Sequence, residues 1–218
     1  MARIAIIDYG SGNLRSVYNA VKRCEQIIKN IRTINVTDSE TIIDNSTHII
    51  LPGVGSFKSC LDGFHGKKNL YKSLYRNVFN MKKPFLGICV GMQMLCDRSL
   101  EDGNHEGFGW IAGSVERIKV NNNEYKIPHM GWNELVIDKK HPLIENITYK
   151  PKKKFNAYFV HSYACRLLNK EDQVLFTNYG QEFTSMVAKN NIVGTQFHPE
   201  KSHIFGLSFL QSFIKWQG

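Results

Sequence analysis

Three apolar runs in the first half of the chain are each followed by a glycine-rich turn and then by amphipathic sequence. They are "RIAIIDYGSGN", "THIILPGVGSF" and "KPFLGICVGMQML". Short apolar runs bounded by glycine are typical of buried strands, and we place the first two strands at residues 4–7 and 48–51. Strand, turn and helix in recurring order predict a parallel sheet with helices on both faces. The three turns then open at the carboxyl edge of one sheet, where ligands bind in such folds.

The second half of the chain has shorter apolar stretches and more turn residues. "SVERIKVNNNEYKIPHMGWNELVI" predicts two strands joined by a turn at "NNN" and then a third strand. "NAYFVHSYACRL", "QVLFTNYG" and "FTSMVAKNNIVGTQFHPE" predict further strands, the last with a hairpin turn at "AKNN". Apolar residues at helical spacing predict a closing helix in residues 205–216. We find no internal repeat or linker, and we expect one domain over residues 1–218 with a mixed sheet.

Length and composition fit a globular α/β protein. The chain has 218 residues, of which 42% are hydrophobic and 11% aromatic, enough for a substantial core. No stretch is apolar enough to cross a membrane, and the start, "MARIAIIDYG", becomes polar too early for a secretory signal. We therefore expect a cytoplasmic protein that does not bind membranes.

The net charge of +9 raises the question of nucleic-acid binding. The lysines are dispersed, however, and lack the interleaved aromatic residues of a base-stacking surface. We therefore expect no nucleic-acid partner. Solvated loops explain most of this charge, and a basic face that docks an acidic protein partner is the alternative.

The cysteines are odd in number, scattered and free of any CxxC pair; they are Cys24, Cys60, Cys89, Cys96 and Cys165. This pattern argues against a disulfide framework and against a zinc ribbon, so we expect no metal site. Most of them fit the role of small core residues, as Cys24 does within a helical apolar pattern.

Cys89 stands apart because it lies between two glycines where a strand passes into a helix. Gly87 to Gly91 fits the nucleophile elbow G-x-Nuc-x-G, with cysteine as the nucleophile. The following helix would direct its positive N-terminus at the sulfur and favour the thiolate. The Val90 N–H is then the obvious oxyanion donor, and Gln93, one helical turn on, faces the same pocket. A core cysteine with incidental glycines is the alternative.

A downstream "HPE" supplies the groups that such a nucleophile needs. His198 and Glu200 lie two residues apart at the end of an apolar strand, so in extended chain their side chains point the same way. Glu200 can then hold one imidazole nitrogen while the other faces Cys89. Alone the two residues would be read as a surface pair; with the elbow they predict a Cys-His-Glu triad.

A second glycine-rich segment, "PGVG" at residues 52–55, follows the strand next to the elbow. Its glycines allow the backbone to approach a ligand and to direct an N–H toward it. A simple turn between strand and helix explains the segment equally well.

Together these motifs resemble the class I, triad-type glutamine amidotransferase family, in which the cysteine hydrolyses the amide of glutamine and releases ammonia. More narrowly, six blocks resemble the glutaminase subunits of imidazole glycerol phosphate synthases. In chain order they are "DYGSGNLRSV", "LPGVGSF", "LGICVGMQML", "PHMGWN", "YFVHSY" and "FHPEKS". The elbow and "HPE" are shared by many amidotransferases, whereas "PHMGWN" with "YFVHSY" is more specific. Val90 stands where many relatives carry leucine.

The resemblance implies a flavodoxin-like class I amidotransferase fold, with a mainly parallel central sheet flanked by helices and additional antiparallel strands in the second half. It implies no cofactor. Besides the triad it implies an oxyanion hole made by Val90, Gly53, Val54 and Gly55. It also implies a set of residues that bind L-glutamine, namely Gln93, Ser162 and Tyr163.

The resemblance also implies a heterodimer with a cyclase subunit folded as a (β/α)8 barrel, through which the ammonia travels. The family's glutaminase is nearly idle until the cyclase binds its own substrate. A glycine-rich segment at residues 52–55 suits a peptide flip that supplies the oxyanion donor only then. The implied interface residues are Asn13, Trp132, Tyr158 and Lys201. For Trp132, a buried core position is the alternative.

Three other functions stay open on these motifs. The nearest is a paralogue that supplies ammonia to another synthase, for example one that modifies a sugar. A cysteine peptidase or stress protein could share the elbow, but it would lack the combined "HPE" and "PHMGWN" blocks. A non-catalytic regulatory subunit would not need an intact triad.

Overall fold

The computed structural model describes residues 1–120, 124–149 and 154–218, and within them the main sheet has nine strands. From the first half of the chain it takes β1 (Ala2–Ile7), β2 (Ile31–Thr37), β3 (His48–Gly53) and β4 (Phe85–Cys89). The helices between these strands are α1 (Leu14–Ile28), α2 (Glu40–Asn45), α3 (Phe57–His65) and α4 (Leu70–Tyr75). A π-helical segment, Arg76–Asn80, follows α4 directly.

The second half of the chain completes this sheet and builds a smaller one. To the main sheet it adds β8 (His129–Ile137), β9 (Phe155–His161), β11 (Gln173–Asn178), β12 (Glu182–Lys189) and β13 (Ile192–Thr195). The smaller sheet consists of β5 (Cys96–Ser99), β6 (His105–Glu106), β7 (Ile111–Arg117) and β10 (Tyr163–Leu167). The remaining elements are α5 (Val90–Gln93), α6 (Pro142–Glu145), α7 (His203–Lys215) and two 3-10 turns, Lys170–Asp172 and Pro199–Lys201.

The predicted parallel sheet is confirmed in one half of the nine-stranded sheet. The strand order is β2-β1-β3-β4-β13-β12-β11-β8-β9, and neighbours from β2 to β13 run parallel. Every residue of β3 and β4 is buried, as expected for strands covered on both faces. The strand that we placed at residues 48–51 continues to Gly53, so the first glycine of "PGVG" is part of it.

The other half of the main sheet is antiparallel, which makes the sheet mixed as predicted. β12 and β13 form the hairpin expected at "AKNN", with Lys189 opposite Ile192 and Asn190 at a positive φ of 54°. Asparagine tolerates this left-handed conformation better than most residues do. β8 and β9 then form the outer edge, paired from His129–His161 to Leu135–Phe155.

The strands predicted around "NNN" are arranged differently. β7 and β8 belong to different sheets, and β7 pairs with β10 and β5 instead of with the following segment. Residues 124–128 form turns and bends rather than the expected middle strand, and the turn itself, residues 121–123, lies outside the described residues. Pro128 explains part of the difference, because it has no N–H to donate to a sheet and restricts the residue before it.

Two helices cover one face of the main sheet. α7 begins at His203, close to the predicted position, and α1 packs against it. The Cys24 thiol of α1 lies 3.6 Å from the Leu207 carbonyl oxygen, so this cysteine is a core residue as expected. Among the helices of the described residues, none combines the length and the apolar character needed to span a bilayer.

Candidate active site

Cys89 is the last residue of β4 and has a positive φ of 55°, which is rare for a residue other than glycine. The two flanking glycines are required by close packing. A Cβ on Gly87 would lie 2.5 Å from the Gly91 oxygen, and a Cβ on Gly91 would lie 2.0 Å from the Leu51 oxygen. The glycines therefore let the chain turn tightly against β3 and hold Cys89 at the end of its strand.

The helix after this turn is shorter than the sequence pattern indicates. α5 has only four residues, Val90–Gln93, because the chain turns at Met94 and Leu95 and enters β5 at Cys96. Few peptide dipoles are aligned in a single turn, so the expected support for a thiolate from a helix dipole is small. The charge partner of a thiolate at Cys89 must come from elsewhere in the site.

His198 and Glu200 form a buried pair next to Cys89. The His198 Nδ1 atom lies 2.8 Å from Glu200 Oε1, and each side chain is 1% exposed. The contact does not arise from an extended chain as expected, because Glu200 lies in the 3-10 turn Pro199–Lys201 that brings its carboxylate back to the ring. His198 Nε2 is buried and has no hydrogen-bond partner in the part of the chain that the structure describes.

The electrostatics of this pair favour a charged imidazole. Burial lowers the pKa of His198, but the neighbouring Cys89 sulfur and the Glu200 carboxylate outweigh it and raise the pKa to about 10. His198 therefore holds its proton at neutral pH, where it can stabilise a thiolate. Gln196 completes the surroundings of the sulfur, with its Nε2 atom 3.6 Å from Cys89 Sγ.

A pocket of about 630 Å³ opens above Cys89, a size suited to a small-molecule substrate. It brings together most residues that the sequence assigns to the site: Cys89, His198, Val90, Val54, Gly55, Gln93, Ser162 and Tyr163. Asn13 and Lys201, which the resemblance assigns to an interface, also line its mouth. Asn13 lies at the N-cap position of α1, but its side chain makes no capping bond.

Two of the assigned residues lie behind the pocket wall. Glu200 contacts the far side of His198, as described above. Gly53 is opposite Cys89 in the β3–β4 register and packs so closely that a Cβ would lie 2.5 Å from the Gly91 nitrogen. Next to it, the Val54 carbonyl accepts hydrogen bonds from Ser11 Oγ at 2.8 Å and Cys60 Sγ at 3.3 Å. These bonds fix one end of the "PGVG" segment.

Trp132 and Tyr158 lie outside the pocket on an adjoining surface. Trp132 is 48% exposed, so the alternative of a buried core position is wrong. Its ring stacks on His203 at 4.9 Å and meets the edge of Tyr158 at 6.2 Å. Lys201 Nζ lies 5.8 Å from the Tyr158 ring centre, which joins this aromatic surface to the pocket mouth.

Sequence reasoning missed three residues of the site. Glu101 lines the pocket while its Oε2 atom accepts the Phe57 N–H at 2.7 Å, and no local motif marks it. Gln196 lies two residues before the "HPE" motif and contacts Cys89. His161 lies within the "YFVHSY" block, lines the pocket and contacts His129 at 3.1 Å, but only the fold brings these two histidines together.

The two contacting histidines predict an acid-sensitive fold. Burial lowers the pKa of His129 to about 4, whereas the unfolded chain takes up the proton near the ordinary value of 6.5. Stability is therefore lost as the pH falls from about 6.5 toward 4, by about 2 kcal/mol between pH 6.5 and 5. We expect urea unfolding of His129→Phe at pH 7 and pH 5 to show a smaller loss than the wild type. Equal losses would contradict burial of a neutral ring.

Fold and site together define an α/β enzyme with a cysteine nucleophile at a strand-to-helix turn and a histidine–carboxylate pair just beyond the end of the neighbouring strand. Sequence comparison is more specific: the family model for class-I glutamine amidotransferases matches residues 5–215. The chain therefore belongs to the class-I glutamine amidotransferase family.

Individual relatives agree with this assignment. The chain is 41% identical over 215 residues to the imidazole glycerol phosphate synthase subunit HisH of Brucella melitensis biotype 1, and the match covers 99% of both chains. It is 40% identical to the subunit of the same name from Rhodopseudomonas palustris, covering 98% of this chain and 99% of that one. A solved glutamine amidotransferase, 16% identical, superposes with a TM-score of 0.65 and covers 95% and 98% of the two chains, which supports the fold.

Proposed function

We propose that this chain is the glutaminase subunit of an imidazole glycerol phosphate synthase of histidine biosynthesis. It hydrolyses L-glutamine to glutamate and ammonia and delivers the ammonia to a cyclase subunit. The observation that carries the chemistry is Cys89 at the floor of a pocket, beside a buried His198–Glu200 pair. The specific assignment is supported by full-length relatives of about 40% identity that bear this subunit's name.

The proposed reaction proceeds in two steps through a thioester. Cys89 Sγ attacks the side-chain amide carbon of glutamine, and the carbonyl oxygen becomes an oxyanion. His198 Nε2 gives its proton to the amide nitrogen, the C–N bond breaks and ammonia leaves. His198 then takes a proton from a water that attacks the thioester carbon, and the C–S bond breaks to release glutamate. Glu200 holds Nδ1 and keeps the ring directed at the sulfur.

The groups proposed to stabilise the oxyanion belong to two adjacent backbone segments. The Val90 N–H follows the nucleophile directly, as in other nucleophile elbows. The second donor is assigned to the segment of Gly53, Val54 and Gly55: Gly53 is the register partner of Cys89, and Val54 and Gly55 line the pocket. A rotation of the peptide within this glycine-containing segment remains our proposed switch between the idle and the active enzyme.

The pocket lining also suits the rest of the substrate. Gln93, Ser162 and Tyr163 are assigned to glutamine binding and surround the space above Cys89. Glu101 adds a carboxylate to the same lining, which we assign to the α-ammonium group of glutamine. Glu101→Gln keeps a side-chain oxygen that can accept the Phe57 N–H, so we expect the variant to fold. It removes the carboxylate charge, so we expect its KM for glutamine to rise.

The partner in this proposal is a cyclase subunit with a (β/α)8 barrel, and the complex is a heterodimer in the cytoplasm. We assign the docking surface to Asn13, Trp132, Tyr158 and Lys201, which lie at and beside the pocket mouth. An exposed tryptophan backed by a second aromatic ring is typical of an interface anchor. Lys201 contributes a positive charge that an acidic group on the barrel can pair with.

The test is co-purification with the candidate cyclase, followed by glutamate release with and without the cyclase's own substrate. We expect a stable complex, a large rise in glutamate release when that substrate is added, and weaker binding by Trp132→Ala. Glutamine hydrolysis equally fast in the isolated chain would refute the proposed switch. A chain that hydrolyses glutamine but does not bind this cyclase would instead be a paralogue that serves another synthase.

A further inference from the structure

A pair of buried histidines connects the edge of the main sheet with the pocket. His129 on β8 lies directly opposite His161 on β9, and His129 Nδ1 is 3.1 Å from His161 Nε2. The residues are 2% and 7% exposed. Phe159 stacks on the His129 ring at 4.8 Å and Tyr179 lies against it at 3.9 Å, so the ring has little room to turn.

The hydrogen bonds of the pair fix where each proton lies. His161 Nδ1 is 2.9 Å from the Tyr163 carbonyl oxygen, which can only accept, so in the neutral ring Nδ1 carries the hydrogen and Nε2 is an acceptor. His129 must then donate from Nδ1, which leaves its Nε2 to accept from Asn133 Nδ2 at 3.3 Å. Asn133 Nδ2 also donates to the Asn178 carbonyl at 3.0 Å. Burial lowers the pKa of His129 to about 4 and that of His161 to about 3, so both rings are neutral at pH 7, and the two ring N–H groups donate in sequence toward the Tyr163 carbonyl.

The Tyr163 carbonyl is the point where this chain of bonds meets the pocket. Gln93 Nε2 also donates to it, at 2.9 Å, and gives its second hydrogen to Gln196 Oε1 at 3.1 Å. The Gln196 Nε2 atom in turn contacts Cys89 Sγ. With both amide hydrogens of Gln93 bound to protein, its Oε1 atom is the group left to face a substrate N–H in the pocket that Gln93 lines.

The location of His161 explains why a side chain is needed here. Ser162 is the single residue between β9, in the main sheet, and β10, in the smaller sheet. The bond from His161 to the Tyr163 carbonyl spans this step and fixes the path of the chain through two pocket residues. His129 holds the His161 ring in the orientation that makes the bond possible.

We propose that the His129–His161 pair is a positioning element of the glutaminase site, which sets the Tyr163 carbonyl and through it the amide orientation of Gln93. The inference rests on the proposed glutaminase function. Under this proposal, two residues on the outer strands affect how glutamine is held. His129 does so without contacting the substrate.

The test compares two labels for Cys89 in the full-length chain. 6-Diazo-5-oxo-L-norleucine must bind as glutamine does before it alkylates the thiol, whereas iodoacetamide needs only the reactive sulfur. We expect His161→Phe to slow labelling by the glutamine analogue at least tenfold more than labelling by iodoacetamide. His161→Asn keeps a donor at the δ position and should restore the ratio to within about threefold of the wild type.

Variants of His129 and His48 complete the labelling experiment. His129→Phe and His129→Asn repeat the comparison one bond farther from the pocket, and they decide the matter if His161→Phe does not fold. His48 is a matched control, because it is 3% exposed and hydrogen-bonded to Thr47 and to the Trp216 carbonyl, away from the pocket. His48→Phe should lower stability without changing the labelling ratio.

Equal slowing of both labels, no rescue by asparagine, or the same change in His48→Phe would overturn the positioning role and leave the proposed function intact. A wild-type chain that iodoacetamide labels and the glutamine analogue does not, even with the cyclase bound, would overturn the proposed function and the positioning role together.

Discussion

Replacing Cys89 with alanine or serine should lower glutamine-dependent synthesis by the complex at least ~10³-fold. The thioester cannot form without the sulfur, and a serine hydroxyl is far less acidic than a thiol, so it does not supply an equivalent nucleophile. The pKa of His198, raised to about 10, reflects its pairing with the sulfur and with Glu200. Glutamate release by the purified complex, with the cyclase substrate present, measures the effect.

Ammonia-dependent synthesis provides the internal control for this variant. Added ammonium salts bypass the glutaminase, so the Cys89 variants should support the cyclase reaction as well as the wild type. Cys24→Ser is the matched substitution, since Cys24 is buried where α1 meets α7 and is not among the residues that line the pocket. It should keep both activities. Loss of ammonia-dependent synthesis in Cys89→Ala would contradict the proposed division of labour.

Replacing Gly91 with alanine should destabilise the protein and abolish glutaminase activity. The added Cβ would lie 2.0 Å from the Leu51 oxygen, in backbone that cannot move away without breaking β3 from β4. Overpacking of this kind costs about 3 kcal/mol, equivalent to a fall in Tm of about 10 °C in a chain of this size. Thermal unfolding measures the first effect, and glutamate release at a temperature where the variant is folded measures the second.

Gly66→Ala is the control for this prediction. Gly66 has a φ of −65° at the end of α3, and its nearest neighbours to an added Cβ are carbonyl oxygens at an ordinary 3.4 Å. Alanine there should leave Tm within a few degrees and activity unchanged. If Gly91→Ala behaved like Gly66→Ala, the tight elbow described above would be wrong.

The parallel strands and the elbow could be predicted because their signals are local. Each strand is a continuous apolar run and each turn is marked by glycine. Three separate strand–turn–helix segments therefore predicted the same sheet edge. The short α5 could not be predicted, because the helix ends where Cys96 pairs with Ile111 in the smaller sheet. The prediction of a strand before Pro128 was wrong for the same reason, because β7 pairs with β10, almost fifty residues away in sequence.

The site residues that the sequence did not predict were missed for a different reason. Glu101 carries no motif, and Glu101, Gln196 and His161 each gain their role from a neighbour that is distant in sequence. His198 and Glu200 were found although the reason given for their contact was incomplete, since a 3-10 turn rather than an extended chain brings them together. Local sequence patterns thus predict which residues meet at the pocket better than they predict the contacts that hold those residues in place.

The adjacency of β4 and β13 has a consequence for how this site tolerates change. Cys89 directly follows Ile88, and His198 lies three residues beyond Thr195; Ile88 and Thr195 are register partners in neighbouring parallel strands. The chain segments that carry the nucleophile and the histidine therefore leave two strands that are one inter-strand repeat apart, about 4.8 Å, a length that backbone hydrogen bonds maintain in every sheet. Surface side chains of the outer strands β8 and β9, such as the exposed Trp132, can diverge to suit a different partner while that length stays constant.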